Sequence, residues 1–213
     1  MEILVISAHP DDEVIGMGGT IKKLTKNNNV ILCVVSEGAS AQYKDKKMIT
    51  VRREACQKSS NLLGISKIEF LDFPDMMLDT IPHLEINRSL EKIIKKYQPK
   101  IVYTTPPNDL NKDHLKVHES SLVVTRHTSS KVKQILSYEI SGITKNQFQP
   151  TVYENISSTF SYKIKALKCY KTEIREFPHP RSLQSIENLS IHRGIESGLK
   201  KAEAFNLIKK IVD

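Results

Sequence analysis

The chain has no tryptophan, and aromatic residues make up only 6% of its 213 positions. A nucleic-acid-binding surface would combine basic residues on one face with interleaved aromatics, and the sequence offers neither. Cysteine is scarce as well. Cys33, Cys56 and Cys169 are odd in number and far apart, which argues against a disulfide framework or a Cys-based zinc site and for reduced thiols. Long hydrophobic runs are also missing. The densest apolar start, Ile3 to Ala8, is far too short to cross a bilayer. It lacks the basic flank and small-residue cleavage site of a secretory signal. With no internal repeat, low-complexity tract or linker, the expectation is one cytoplasmic domain over residues 1–213, without a membrane span.

What is present is a basic globular composition. Lysine and arginine number 32 against 24 acidic residues, for a formal charge of +8, with 39% hydrophobic and 26% charged residues. The lysines cluster at Lys22-Lys23, Lys44 to Lys47, Lys95-Lys96 and Lys209-Lys210, mostly on the polar sides of predicted helices. They read as a solvated surface with a mild attraction for anions.

Strand and helix patterns alternate through the first half. Glu2 to Ala8 is a short apolar run that suggests a strand buried on both faces, Val30 to Val35 reads as a second buried strand, and Lys67 to Leu71 and Ile101 to Thr105 read as a third and a fourth strand. Between them, Val14 to Asn27, Ile49 to Leu63 (closed by Gly64) and Leu84 to Tyr97 (stopped by Pro99) carry helical periodicity. Asp113 to Arg126 looks helical, Gln134 to Ile140 strand-like and Thr151 to Ile156 extended. Phe160 to Glu173 and Ser185 to Ile211 read as helices, separated by the proline-restricted loop Phe177-Pro178-His179-Pro180. The fold class is α/β: a Rossmann-like, mostly parallel sheet with helices on both faces and a C-terminal helical extension.

The most informative stretch is Ala8-His9-Pro10-Asp11-Asp12-Glu13, at the carboxyl end of the first strand. Ligands bind at that end in open α/β sheets. An acidic helix start explains one or two of these carboxylates but not the imidazole before them. His9 and Asp12 could converge on one cation, and a catalytic zinc site needs three protein ligands with one position open. A further ligand is sought at another strand end, where Asp113-His114 opens a helix after the fourth strand. His118 stands one helical turn beyond His114, but the base-bearing helical zinc motif is incomplete, and His118 reads as a solvent-side or packing residue. Gly16-Met17-Gly18-Gly19 fails the dinucleotide template because Ile21 occupies its sixth position. Those glycines suit close helix-to-sheet packing instead. There is no nucleophile elbow, P-loop or paired catalytic Cys and His.

Taken together, these segments resemble the PIG-L or LmbE-like zinc de-N-acetylases. The likeness rests on Ala-His-Pro-Asp-Asp-Glu followed later by Asp113-His114. It extends to Arg52 and Glu54 upstream of Leu63-Gly64, Phe73-Pro74-Asp75, His179-Pro180-Arg181-Ser182, Arg193-Gly194 and Ala202-Glu203-Ala204-Phe205. The resemblance implies a metal-dependent hydrolase that removes acetyl groups from N-acetylglucosamine-type sugars, free or linked to a nucleotide, lipid or oligosaccharide. It implies a zinc ion held by His9, Asp12 and His114, although iron or cobalt would suit the same ligands. Asp11 would be the general base toward a zinc-activated water. Asp113 would orient an imidazole, and Arg52 and Asp75 would contact substrate.

One departure stands out. Many members carry His-x-Asp-His at the second motif, its first His stabilising the oxyanion, whereas this chain has Asn111 there. Asn can donate a hydrogen bond but cannot act as a general acid. Either Asp11 handles both proton transfers or another imidazole substitutes. The candidate is His179, in a loop resembling a segment that reaches an active site in the family, sometimes from a neighbouring subunit. A homo-oligomer is therefore open. Hydrolysis of another amide or an ester, and a disabled sugar- or nucleotide-binding homologue, remain as alternative readings.

Overall fold

The computed structural model describes residues 1–142 and 144–212. In chain order the elements begin with β1 (Glu2–Ser7), α1 (Asp12–Leu24), β2 (Asn29–Ser36), α2 (Lys47–Leu63) and β3 (Lys67–Phe73). Next come α3 (His83–Tyr97), β4 (Ile101–Thr104), α4 (Lys112–Val124) and β5 (Gln134–Tyr138). The chain closes with β6 (Val152–Asn155), α5 (Phe160–Leu167), α6 (Leu183–Ser197) and β7 (Ala202–Lys210).

The strands form a seven-stranded sheet in the order β3-β2-β1-β4-β5-β7-β6. The first five are parallel, while β7 runs antiparallel to both β5 and β6. The winding direction reverses between β1 and β4, which opens a crevice at their carboxyl ends. Both faces of the sheet are covered. Ile3 and Val5 of β1 pack with α1, α2, Leu167 and Phe205. Leu4 and Ile6, one residue out of phase, pack with α3 and with Val117 and Val124 of α4. This double burial is why β1 and β2 are unbroken apolar runs rather than alternating ones.

Two glycines place α1 against its neighbours. A Cβ on Gly16 would sit 2.3 Å from the Tyr138 ring, and one on Gly19 would sit 2.8 Å from Ile156. Gly64 ends α2 with φ 88°, the left-handed conformation expected of a helix-terminating glycine.

The C-terminal part corrects the sequence expectation of a helix over Ser185 to Ile211. The helix α6 stops at Ser197, Gly198 turns the chain with φ 71°, and Ala202 to Lys210 become strand β7. Ala-Glu-Ala favours helix locally, but Phe205 and Leu207, two apart, face the same core cluster. Tertiary pairing between β5 and β6 overrides the propensity. The helix expected over Phe160 to Glu173 likewise ends at Leu167. The following turn carries Tyr170 inward, where its hydroxyl donates to Glu13 Oε1 at 3.0 Å.

Candidate metal centre and active site

At the end of β1 the chain turns sharply into α1. Asp11 takes φ 123°, an uncommon conformation for a residue other than glycine. Its carbonyl accepts from Val14 and Ile15, starting the helix, and its own N–H donates to Glu13 Oε2 at 3.2 Å. Pro10 is pressed against Gly38, whose hypothetical Cβ would lie 2.5 Å from the proline ring. Tight packing therefore fixes His9 and Asp12 relative to each other.

The structure brings His9, Asp12 and His114 together as one buried group with a ligand atom from each within 4.8 Å of the others. Asp12 Oδ2 lies 3.4 Å from His9 Nδ1 and 3.4 Å from His114 Nε2. The far nitrogen of each ring is held by a carboxylate. His9 Nε2 is 3.0 Å from Asp113 Oδ2, and His114 Nδ1 is 2.6 Å from Asp109 Oδ2. Such carboxylate–imidazole contacts fix the tautomer and turn the opposite nitrogen toward a metal. Asp113 is itself anchored by the N–H groups of Met76 (2.8 Å) and Leu78 (3.0 Å).

The donor set fits a divalent cation. His114 Nε2 and Asp12 Oδ1 are buried without a hydrogen-bond partner among the described residues. Two neutral imidazoles and a carboxylate are the ligand types of a three-coordinate catalytic zinc site. A second buried group, His9, Asp75 and Asp113, also lies within range. It is the poorer candidate because Asp113 already serves two backbone N–H groups and His9.

The local charges are strongly coupled. Burial opposes a proton on His9, but the Asp113 hydrogen bond and the nearby Asp12 and Asp75 outweigh it, and its pKa is pushed up to about 10. The same contest on His114, with Asp12 and Asp109 as the winning partners, pushes it up to about 9. Burial raises the Asp11 carboxyl, against the pull of Arg181 and Arg52. Glu13 is pushed up to about 8 by burial, then by Asp11 and Asp12.

Beside the metal-ligand group, Asp11 sits between two arginines. Arg52 Nη2 is 3.5 Å and Arg181 Nη1 3.6 Å from Asp11 Oδ2. Glu173 bridges them, 2.6 Å from Arg52 and 3.1 Å from Arg181. Arg52 is 2% exposed and also donates to the Pro10 carbonyl at 2.7 Å. It lies behind Asp11 as a clamp on the β1–α1 turn. Arg181 is the more open of the two, its side chain 26% exposed. Asp75 is buried 3.3 Å from His9 Nε2, with Oδ2 unpartnered among the described residues.

Asn111 caps α4, its side-chain oxygen accepting from Asp113 N at 2.9 Å. His179 is exposed, and its Nδ1 accepts from the Arg181 N–H at 3.0 Å. None of its described contacts is to the metal-ligand group. His118 packs inside the fold with Nδ1 2.8 Å from the Thr105 carbonyl. Sequence reasoning assigned no role to Asp109, Glu173 or Arg181. Asp109 lies five residues before His114 and was open to discovery as its partner. Glu173 is distant in sequence from Asp11, and no local pattern points to their meeting.

A mostly parallel sheet with a buried His-Asp-His donor set and an adjacent carboxylate at its switch point has the layout of a metal-assisted hydrolase. Comparison with known proteins agrees. Residues 4–125 match the PIG-L family model, described as GlcNAc-PI de-N-acetylase. The chain is 33% identical to YaiS, an uncharacterized deacetylase of Escherichia coli K12, over 80% of this chain and 90% of that one. It is 25% identical to the diacetylchitobiose deacetylase of Thermococcus kodakarensis, over 99% of this chain and 84% of the relative. The solved structure of the N,N'-diacetylchitobiose deacetylase from Pyrococcus horikoshii matches the fold with a TM-score of 0.82 at 24% identity, covering 98% of this chain and 84% of that one. The chain belongs to the PIG-L family of de-N-acetylases, and it is a deacetylase of that family. Among the described residues no helix is long and apolar enough to cross a membrane.

Proposed function

We propose that the chain removes the acetyl group from an N-acetylglucosamine-type sugar, with zinc held by His9, Asp12 and His114. The observation that carries this reading is the buried donor set with its two carboxylate-held imidazoles, next to the buried Asp11 carboxylate, which is ion-paired with Arg52 and Arg181. Named deacetylases among the relatives, including two that act on diacetylchitobiose, support the substrate class. When bound, zinc would lower the pKa of water and polarise the acetamide carbonyl.

The chain's own residues do the rest. Asp11 takes the proton from the attacking water and delivers it to the leaving amine. Burial raises its carboxyl above the ordinary aspartate value, which favours the return of the proton after it is taken up. Arg52 and Arg181 both approach its Oδ2 and hold the carboxylate in place. Asn111 spends its oxygen on the helix cap, and its NH2, which donates weakly to Met76 Sδ at 3.5 Å, is the neutral donor available to the developing oxyanion. Within one chain His179 takes no part. His179→Ala should leave turnover and its pH profile unchanged, and a large loss would instead place the residue at a site, its own or a neighbour's. Asp75, with one free oxygen, is the group offered to sugar hydroxyls.

The direct test is Asp11→Asn. It should keep its metal content, measured by elemental analysis, and lose about 10²- to 10⁴-fold in acetate release. Full activity in that variant would remove Asp11 from the mechanism.

A further inference from the structure

A cavity of about 570 Å³ opens at the carboxyl edge of the sheet, within the range of small-molecule sites. Its walls come from the loops after β4 (Pro106, Asn108) and β5 (Ser141, Gly142), and from α6 and Tyr153. Neighbouring strands lie about 4.8 Å apart. The metal-ligand group stands at the ends of β1 and β4, so the cavity begins one strand further along the same edge. The two share a wall. Asn108 lines the cavity, and the next residue, Asp109, holds His114. The β5–β6 loop is zipped to that wall through Lys145 N to the Asn108 carbonyl (2.8 Å) and Asn108 Nδ2 to the Asn146 carbonyl (2.6 Å).

The cavity is polar yet has no spare positive charge. Arg193 donates to both oxygens of Glu139 at 2.8 and 2.6 Å, and to Glu196 at 2.7 Å. Arg193 is the one lysine or arginine among the described lining residues, and it faces two carboxylates. A phosphate would find no uncommitted guanidinium there, although the protein as a whole is basic. Asn108 Oδ1 is a buried acceptor without a partner among the described residues, and Gln147 adds an amide. Phe148 and Tyr153 add aromatic side chains to the lining. Hydrogen-bonding groups beside aromatic side chains, without net positive charge, match an uncharged polyhydroxylated ring.

We infer that this cavity binds the non-reacting, uncharged sugar unit of an oligosaccharide whose N-acetylated unit lies at the metal. This deepens the deacetylase reading and rests on it. It assigns the enzyme a neutral glycan in preference to a nucleotide-linked or phospholipid-linked sugar.

The test is calorimetric binding to zinc-reconstituted Asp11→Asn protein, using N-acetylglucosamine, N,N'-diacetylchitobiose and uridine-diphosphate N-acetylglucosamine. Two variants fill the cavity from opposite walls. Gly142→Trp is favourable because a Cβ there meets nothing within 4 Å, and Leu189→Trp enters from α6. The disaccharide should bind at least about tenfold more tightly than the monosaccharide, equivalent to about 1.4 kcal/mol. Both Trp variants should abolish that difference, and the nucleotide sugar should gain nothing over the monosaccharide. Equal affinity of the two saccharides, an advantage that survives both fillings, no saccharide binding, or tightest binding of the nucleotide sugar would each overturn the inference. Acetate release by the native enzyme separates the two claims. Release from both saccharides with equal efficiency would sink the cavity and spare the deacetylase; disaccharide binding without release would do the reverse.

Discussion

Asp109 and Asp113 each touch one imidazole of the metal-ligand group, and their effect is to decide which ring nitrogen is free. Asp109→Asn or Asp113→Asn should therefore weaken metal binding by about 10- to 100-fold, read by competition with a chelator. Unchanged affinity in both would mean that the rings are oriented by packing alone. The protonation of those rings gives a second expectation. In the metal-free protein His9 and His114 are shifted up to about 10 and about 9, above the ordinary histidine value near 6.5. Both carry protons at pH 7, and a metal must displace them. Metal uptake should release protons, and affinity should climb from pH 7 toward pH 9–10. The linkage sign follows. A raised imidazole pKa stabilises the metal-free fold fully below about pH 6.5, and that contribution is lost as pH rises through the folded values. Thermal scans of stripped protein between pH 7 and 10 should show falling stability. A flat profile would contradict the assigned partners. The candidate ligands were legible in the sequence because His9 and Asp12 sit within one turn, with Asp11 between them, and His114 follows Asp113 at the start of a helix. Arg181 and Glu173 were not, since only the folded chain brings them beside Asp11.

Among the elements, α1 is the most constrained. A buried carboxylate from β7, Glu203, accepts from Gly19 N at 2.9 Å and Thr20 N at 2.7 Å, and pairs with buried Lys163 of α5 at 2.7 Å. Glu203 thus ties together the helix that follows the metal motif, α5 and the inserted strand. Glu203→Ala leaves Lys163 buried and unpaired and should cost about 3–5 kcal/mol, measured by urea unfolding. A loss below about 1 kcal/mol would mean that water or another acid takes over. The strands β1, β2 and β4 were readable because burial writes them as apolar runs bounded by turn residues, whereas the edge strand β3, only partly buried, alternates apolar with charged residues. The strand β7 was not. Its first residues, Ala-Glu-Ala, suit a helix, and its strand character comes from β5 and β6, whose pairing partners lie more than 45 residues away.

At the scale of the whole molecule, the sheet order places the ends of β1, β4 and β5 side by side, so that metal ligands, base and saccharide cavity occupy one edge. The parallel half of this architecture was visible in the alternation of patterns. The antiparallel addition was hidden, because the position of β7 between β5 and β6 depends on a crossover that no local signal records. The central claim, a metal-dependent deacetylase, is tested most directly by acetate release from N,N'-diacetylchitobiose. The comparison is between protein stripped by chelation and the same sample after zinc is returned. Release that vanishes on stripping and returns with one equivalent of zinc is the predicted result. Release that persists undiminished in fully stripped protein would contradict the account.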